Sequence, residues 1–481
     1  MKSFIVIIVF MISNVPVLAG RTPAERISDE ATVYHPRIAS NGDFLHVVYI
    51  KWIGTYHIYY LRSDDCGMHW NEPYLMMDTS LNSGGIFPIV KTNGDSVFAL
   101  WSHYFRNSDD RTIAFRRSLD NGFSWQPVVE IIPPYDYHFQ KHAFCVSGRK
   151  IYVIYNYDDG GLIYEFVKST NGGQTWSEPV ELFRAYQSGW IDMACRGDTI
   201  HIIWSGNYSL QDSWELYYTR SVNGGNSWTE NLLLSEPDTI GSYHPSISIN
   251  ENGEMVLCWT DYKYSPNPWN GDLFVRYSYD SGASWTEEEQ ITFTHWARVP
   301  RILWKGDSIH VTWEDGRYGI SDPLYMLSPN NGFDWEQEQL IDNDPDESDY
   351  PDIALTDSCK HVVWTDFRDY DQGRGVYYTR GEPEVSIEED IPEDYEIELT
   401  AYPNPFNSTT SISYSNLEGG DIEIYDIMGR LVKKLHTGGG KEGEVNWDAT
   451  DASGENVSSG IYFARARSKD NCTTEKLIYL K

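Results

Sequence analysis

Arginine, carboxylate and aromatic side chains recur together in this chain, and these are the residue types that bind acidic sugars. A guanidinium group can hold a carboxylate with two parallel hydrogen bonds, and an aromatic ring offers a flat face to a sugar. Arg298, Arg317 and Arg368 come from the last two of the repeated segments described below. The sequence therefore predicts a binding site for a glycan or another small carboxylate ligand. The predicted ligand-binding residues are Tyr34, His35, Arg37, His142, Trp190, Asp192, Tyr243, His244, Trp296, Arg298, Asp315, Arg317, Tyr350, Asp366 and Arg368.

Two of these arginines have a second interpretation. Arg317 follows Asp315 in the stretch WEDGR, and Arg368 follows Asp366 in the similar stretch WTDFRD. Both pairs could be ion pairs that stabilise the fold and leave no free donor for a ligand. The sequence leaves this alternative open.

The sequence predicts no metal site and no cofactor. His35, His142 and His244 stand at equivalent places in alternate segments, and three histidines can suggest a metal ion. Metal–nitrogen bonds of ~2 Å require a close convergence that a channel on the axis of the fold would prevent. We therefore expect hydrogen-bonded, solvated histidines. The six cysteines lack zinc-ligand spacing, and their disulfide state stays open.

An internal repeat determines the elements that must position these residues. Six segments share the pattern Ser-x-Asp/Asn-x-Gly-x-x-Trp, and their tryptophans lie 50 to 57 residues apart. The Asp or Asn side chain can bond turn amides, and the glycine permits a positive φ, so each box predicts a hairpin turn. The boxes begin at Ser63, Ser118, Ser169, Ser221, Ser278 and Ser328.

Four short strands accompany each repeat, which indicates a β-propeller. First, second and third strands occur seven times, as in HPRIA, FLHVVY and HIYYLRS, whereas a fourth strand follows only the six boxes. We predict that residues 25–30 supply the missing strand beside residues 375–380, because closing the ring within one blade removes an exposed edge. The predicted fold class is all-β, with a seven-bladed propeller at residues 20–381 and a small C-terminal β-sandwich.

The boxes resemble the Asp-box (BNR) repeats of the sialidase-like β-propeller superfamily. The resemblance implies a propeller fold, which sialidases, other glycoside hydrolases and non-enzymatic proteins share. A sialidase needs three arginines, an acid Asp, and a Tyr nucleophile assisted by a Glu. RVP at Arg298 resembles the family's Arg-Ile-Pro element, and Asp322 stands near the place of the acid Asp. The match falls in the sixth repeat, however, and the sequence shows no clean Tyr–Glu pair.

The two ends of the chain predict export. Residues 1–19 fit a signal peptide, and no later apolar run is long enough to span a membrane, so the mature chain has no predicted transmembrane segment. Residues 382–396 form an acidic linker, and residues 397–481 an immunoglobulin-like β-sandwich. YPNPFN at residues 402–407, IYDIMGRLV at 424–432, WDATDASGENVSSGIYF at 447–463 and the terminal KLIYLK resemble the type IX secretion system (Por, type A) sorting domain.

This second resemblance implies that the type IX secretion machinery is a partner, acting through residues 397–481. The protein would then pass through the periplasm and be secreted or attached to the outer cell surface. A formal net charge of −34 excludes nucleic acid as a partner. The functional hypothesis is a surface or secreted propeller that binds a glycan on its axial face. The alternatives are a glycoside hydrolase of sialidase type (an exo-α-sialidase) and a non-enzymatic protein-interaction scaffold.

Overall fold

The structure is a computed structural model. The predicted linker and, apart from Leu18, the predicted signal peptide lie outside the residues that it describes. Among the described residues, no helix is long and apolar enough to cross a membrane. The described residues are 18, 20–78, 83–106, 110–134, 139–209, 213–237, 240–265, 271–317, 319–369, 373–381, 397–415, 417, 421–427, 429–437, 441–467 and 472–481.

Seven four-stranded antiparallel sheets, called blades 1 to 7 below, follow one another along the described part of residues 21–381. The short strand β1 (Glu25–Arg26) comes first and belongs to the last blade. Blade 1 contains β2 (Thr32–Asn41), β3 (Phe44–Trp52), β4 (Tyr56–Ser63) and β5 (Tyr74–Leu75). Blade 2 contains β6 (Ser83–Asn93), β7 (Ser96–Phe105), β8 (Arg111–Ser118) and β9 (Val129–Glu130). Blade 3 contains β10 (Phe139–Ser147), β11 (Lys150–Asp158), β12 (Leu162–Ser169) and β13 (Val180–Ala185).

The remaining four blades repeat this order of strands. Blade 4 contains β14 (Gln187–Arg196), β15 (Thr199–Asn207), β16 (Glu215–Ser221) and β17 (Leu232–Leu233). Blade 5 contains β18 (Ser242–Ile249), β19 (Met255–Asp261), β20 (Asp272–Ser278) and β21 (Glu289–Gln290). Blade 6 contains β22 (Ala297–Lys305), β23 (Ser308–Asp315), β24 (Asp322–Ser328) and β25 (Gln339–Leu340). Blade 7 contains β26 (Ser348–Leu355), β27 (Lys360–Asp366), β28 (Gly375–Arg380) and β1.

The blades close into a ring. The first strand of each blade contacts the first strand of the next, and β26 contacts β2. β1 pairs with β28, with Glu25 opposite Tyr378, and the backbone N–H of Ile27 donates to the Val376 carbonyl at 2.9 Å. The predicted propeller and its closure by the N-terminal segment are therefore confirmed, although only Glu25–Arg26 has strand geometry.

The box hairpins join neighbouring blades. In the first box the Gly67 N–H donates to Ser63 Oγ at 2.8 Å, and the later boxes repeat this bond. Gly67 has a φ of 77°, and a Cβ there would lie 1.8 Å from the Tyr378 hydroxyl, so only glycine fits. The Trp70 ring meets Tyr378 of blade 7 edge to face at 5.0 Å. The box tryptophan of blade 1 thus packs across the boundary where the ring closes.

The blades have aromatic and aliphatic cores, and one disulfide joins two of them. Five of the seven second strands carry a fully buried tryptophan near their end. Cys145 on β10 is bonded to Cys195 on β14, which links the first strands of blades 3 and 4. The buried strand-end tryptophans are Trp101, Trp204, Trp259, Trp313 and Trp364.

The C-terminal residues form two sheets around a core of their own, which confirms the predicted β-sandwich. One sheet has the order β29-β30-β33 and the other β32-β31-β34-β35. Ile412, Ile424, Trp447 and Leu477 are fully buried between them. The chain divides into two compact units, residues 1–275 with 288–384 and residues 276–287 with 385–481. The strands are β29 (Glu398–Tyr402), β30 (Thr410–Ser415), β31 (Asp421–Asp426), β32 (Leu431–His436), β33 (Gly443–Trp447), β34 (Gly460–Arg467) and β35 (Cys472–Tyr479).

Candidate axial ligand site

Every first strand of the propeller carries a β-bulge near its start. In five blades a residue that precedes a proline adopts a left-handed backbone at the bulge. Such a conformation costs of order 1–3 kcal/mol for a non-glycine residue, and it is characteristic of functional sites. A β-bulge changes the direction in which a side chain points. Here the bulges turn several side chains of the first strands toward the axis of the propeller. The five residues and their φ angles are His35 (49°), Phe87 (55°), His244 (54°), Val299 (54°) and Tyr350 (56°).

The seven first strands together line a cavity of about 180 Å³. This volume is below the ~300–1,000 Å³ of typical small-molecule pockets. The cavity can therefore enclose one group of a larger ligand, such as a charged substituent, and not a whole oligosaccharide. Its polar and aromatic lining consists of His35, Arg37, Phe87, Lys91, Lys141, His142, Trp190, Asp192, Ser246, Arg301, Tyr350 and Asp352.

Two arginines of the cavity share one carboxylate at long range. Arg37 Nη1 lies 3.8 Å and Arg301 Nε lies 3.9 Å from Asp352 Oδ1. The other oxygen of Asp352 accepts the backbone N–H of Ile38 at 3.0 Å. Arg301 Nε is buried without a hydrogen-bond acceptor. Both guanidinium groups therefore keep donor capacity that an anion could use.

The second carboxylate of the cavity is occupied by backbone amides. Asp192 Oδ2 accepts the N–H of Ile247 at 3.1 Å, and Asp192 Oδ1 accepts the N–H of Met193 at 2.9 Å. Asp192 thereby ties the first strand of blade 4 to that of blade 5. Neither carboxylate forms a close ion pair with the arginines, so no direct contact neutralises the two guanidinium groups.

Lys141 adds a further cation to the cavity. Its Nζ lies 4.0 Å from the ring centre of Phe87 and 5.3 Å from that of Trp190. Within the described part of the chain, this ammonium group forms no hydrogen bond or ion pair. Burial, together with the charges of Arg37 and Arg301, lowers the pKa of Lys141 to about 8. The amine is thus mostly protonated at pH 7 and loses its proton as the pH passes through about 8.

The three predicted histidines are neutral and do not form a cluster of ligands. Burial lowers the pKa of His35, His142 and His244 to about 3 in each case. His35 packs on Tyr350 with ring centres 3.9 Å apart, and His244 packs on Trp190 at 3.7 Å. His142 Nδ1 lies 3.0 Å from Ser102 Oγ. Among the described residues no group of three or more His, Cys, Asp or Glu side chains suits a metal ion.

The predicted equivalence of the three histidines is wrong for His142. His35 and His244 are bulge residues that precede a proline, whereas His142 is the first residue paired after the bulge, opposite Tyr155. By register it corresponds to Arg37, which is opposite Val48. Blade 3 lacks the proline at this place, so alignment by residue type misplaced His142 relative to the bulge.

A group of charged residues from blades 6 and 7 adjoins Tyr350 at the edge of the cavity. Glu314 Oε2 lies 3.0 Å from Arg298 Nε, and Glu314 Oε1 accepts the backbone N–H of Tyr350 at 2.7 Å. Burial and the charge of Asp349 raise the pKa of Glu314 to about 7. Burial also raises the pKa of Asp349 itself, with a further contribution from Glu347. The Arg298 side chain remains 44% exposed.

Arg317 and Arg368 are held by carboxylates and do not line the axial cavity. Arg317 forms two bonds to Asp315, at 2.6 and 2.7 Å, and a third to Glu338. Arg368 is bonded in the same way to Asp366 and also to Asp342. Asp315 and Asp366 also accept the indole N–H of the strand-end tryptophan two residues earlier. These contacts support the second interpretation, in which the two ion pairs stabilise the fold.

The remaining predicted residues lie outside the cavity lining. Tyr34 meets Tyr56 edge to face at 6.0 Å, and Tyr243 packs between Trp214 and Tyr262. The Trp296 side chain is exposed. Of the predicted set, the structure brings together at the cavity His35, Arg37, His142, Trp190, Asp192 and Tyr350.

The predicted set omitted four cavity residues that carry much of its chemistry: Phe87, Lys141, Arg301 and Asp352. A signal for Arg301 was present, because VPRIL repeats the Pro-Arg order of HPRIA, in which Arg37 had been selected. Lys141 had a signal as well, because it stands beside His142 at the entry to the first strand of blade 3.

Comparison with known proteins identifies the C-terminal unit. Residues 400–480 match the family described as the secretion system C-terminal sorting domain. These residues are a sorting domain. The sorting domain directs type IX secretion, so the protein reaches the cell surface or the extracellular space. No curated protein matches the chain significantly.

Solved structures resemble the propeller in fold. A polysaccharide lyase, "PL25-Ulvanlyase bound to -[GlcA(1-4)Rha3S]-", has a TM-score of 0.53 at 11% identity, covering 73% of this chain and 94% of the lyase. A protein of unknown function from Dyadobacter fermentans has a TM-score of 0.50 at 12% identity, covering 76% of this chain and 100% of that protein. The Hadza microbial sialidase Hz136 has a TM-score of 0.45 at 14% identity, covering 68% and 73%. The first two show the fold alone, and the third carries no argument.

Proposed function

We propose that the protein binds an anionic glycan outside the cell and holds one acidic group of that glycan in the axial cavity. The observation that carries this proposal is the convergence of Arg37, Lys141 and Arg301 from three blades. In a chain of net charge −34, a cavity lined by more cations than carboxylates requires a reason. An anionic ligand supplies it, because a carboxylate or sulfate would pair with donors that Asp352 reaches only at long range.

The aromatic lining supports a sugar as the carrier of that acidic group. Phe87, Trp190 and Tyr350 line the same cavity as the cations, and the Tyr350 side chain is partly exposed at its edge. Aromatic faces pack against the apolar face of a sugar ring. The lyase of similar fold was solved with a glycan that carries glucuronate and sulfate, which is the class of ligand that these side chains suit.

Calorimetric titration would test this proposal. The probes are the sulfated uronate polysaccharide ulvan, polygalacturonate and, as a neutral control, dextran. Each charge-assisted hydrogen bond contributes ~1.5–3 kcal/mol, so Arg301→Ala should weaken binding of the acidic probes about 10- to 150-fold. The matched control is Arg184→Ala, which removes an exposed arginine that pairs with Glu181 on β13. Equal affinities of the two variants, or failure of both acidic probes to bind the unaltered protein, would contradict the proposal.

A glycoside hydrolase of sialidase type is the second candidate, and the carboxyl groups beside Tyr350 favour it. Glu314 has a pKa near 7, and the charges of Glu314 and Asp349 both act on the Tyr350 phenol. Such a group can exchange protons at neutral pH. A panel of fluorogenic glycosides that includes a sialoside tests this candidate. Release of the fluorophore by the protein, lost in Glu314→Gln, would support hydrolysis. Binding without release would favour the propeller as a binding protein.

A further inference from the structure

Lys141 has features that binding alone does not require. Its amine lies against Phe87 and Trp190 and has no acceptor among the described residues. A lysine that only supplied positive charge would not need a pKa lowered to about 8. An amine that is desolvated next to other cations is instead in the environment that makes lysine a base or a nucleophile.

We propose that Lys141 is a catalytic base that removes the proton beside the carboxylate of a bound uronate, so that the protein cleaves its glycan by β-elimination. This inference rests on the proposed function, because it needs the uronate carboxylate in the axial cavity. It goes further by naming the reaction and the residue that begins it.

The arginines of the cavity can stabilise the carbanion that forms when the proton is removed. A C–H bond next to a carboxylate is weakly acidic, because the negative charge left on carbon spreads onto the carboxylate oxygens. Arg37 and Arg301 can hold those oxygens and stabilise the charge that develops there. Both guanidinium groups retain donors for this purpose, since Asp352 approaches them only at 3.8 and 3.9 Å.

The elimination needs no reactant other than the glycan and the side chains of the cavity. Lys141 Nζ takes the proton from C5, the released electron pair forms a double bond between C4 and C5, and the bond from C4 to the linking oxygen breaks. The departing oxygen takes a proton from the Tyr350 hydroxyl, which lines the same cavity. Burial and the neighbouring Glu314 and Asp349 raise the pKa of Tyr350 to about 12, so the hydroxyl is protonated beforehand. Lys141 then passes its proton back through solvent.

The two roles of Lys141 have opposite dependences on pH. Binding of the anion favours the ammonium form, whereas removal of the C5 proton requires the free amine. The charged and titratable groups that line the cavity around Lys141 are Arg37 and His35 on β2, Lys91 on β6, His142 on β10, Asp192 on β14, Arg301 on β22, and Tyr350 and Asp352 on β26. His35 and His142 are neutral above about pH 3, and Lys141 changes charge near pH 8.

The experiment measures binding of ulvan and polygalacturonate by calorimetry, and elimination by the ultraviolet absorbance of the conjugated double bond. In the unaltered protein, affinity should fall and turnover per bound complex should rise as the pH passes through about 8. Lys141→Arg keeps the charge but cannot act as a base near neutral pH. It should retain binding and lose turnover by about 100-fold or more, the usual contribution of a positioned base.

The matched control is Lys150→Arg, which makes the same change at a lysine that pairs with Asp198 on the surface. It should bind and cleave as the unaltered protein does. If the unaltered protein binds a probe but forms no double bond, or if Lys141→Arg keeps its turnover, the elimination proposal is overturned and the binding proposal stands. If neither acidic probe binds, both proposals are overturned.

Discussion

Glu314 of blade 6 accepts the backbone N–H of Tyr350 of blade 7 at 2.7 Å. This bond crosses the boundary between two blades and ends on a tyrosine with a left-handed backbone, φ 56°. The carboxyl group that makes it is only 3% exposed. The bond therefore ties the strained residue at the edge of the axial cavity to a buried carboxyl group whose charge depends on pH.

Glu314 should make the protein less stable as the pH rises. Its pKa is raised from 4.5 to about 7 by burial and by Asp349, so the folded state retains a proton that the unfolded state has lost. The melting temperature of the unaltered protein minus that of Glu314→Gln should fall between pH 4.5 and about 7, and level off above. Thermal melts at several pH values measure the difference. Glu181→Gln, at an exposed site, is the control, and a difference that rises over this range would contradict the prediction.

Arg317→Ala should destabilise the propeller strongly. Arg317 is bonded to the fully buried Asp315 and to Glu338, and its removal leaves a buried charge without its partner. Breaking a buried pair in this way costs about 3–5 kcal/mol, which urea denaturation can measure. Arg184→Ala is the comparison, because Arg184 and its partner Glu181 are both exposed, and the loss of such a pair should change the stability little. Equal losses of stability in the two variants would refute this distinction.

Removal of the disulfide should loosen the contact between blades 3 and 4. Cys145 and Cys195 are 50 residues apart in the chain and lie on neighbouring first strands. Replacing both by alanine should cost about 2–4 kcal/mol in the free energy of unfolding, because the unfolded chain regains its freedom. Cys66→Ser, at a free cysteine, serves as the control. If both variants unfold at the same urea concentration as the unaltered protein, the bond contributes no stability.

Deletion of residues 21–30 should open the ring. The deletion removes β1 and the bonds that Thr22 and Ile27 donate to Arg380 and Val376, and it leaves β28 as an exposed edge. Each lost bond costs about 0.5–1.5 kcal/mol, and an exposed edge strand invites association with other chains. Thermal melting and light scattering should show lower stability and larger particles. Glu30→Ala, a single change in the same segment, should show neither effect.

Deletion of residues 397–481 should trap the propeller in the periplasm of the native host. The removed residues comprise the sorting domain, which has a separate buried core. The propeller should therefore stay folded without it. Cell fractionation measures the location, and circular dichroism of the purified propeller verifies its fold. Normal amounts of the shortened protein at the cell surface would show that export does not depend on this domain.

The sequence by itself determined the features that arise within one repeat. Each box carries its own hairpin, because Ser63, Asp65 and Gly67 bond to one another within five residues. The excess of first strands over boxes predicted that the N-terminal segment would complete blade 7, which β1 does. The sorting domain was recognisable because its motifs follow one another in order along the chain.

Only the tertiary structure decided which charged residues are free to bind a ligand. Arg37 and Arg317 are of the same residue type, and both lie near an aspartate. Arg317 meets Asp315 two residues away, whereas Arg37 meets Asp352 from the opposite end of the chain and only at 3.8 Å. The donor capacity of an arginine depends on distances across the ring, and no local pattern records them. The same reason applies to the surroundings of Lys141, whose aromatic neighbours Phe87 and Trp190 come from two other blades.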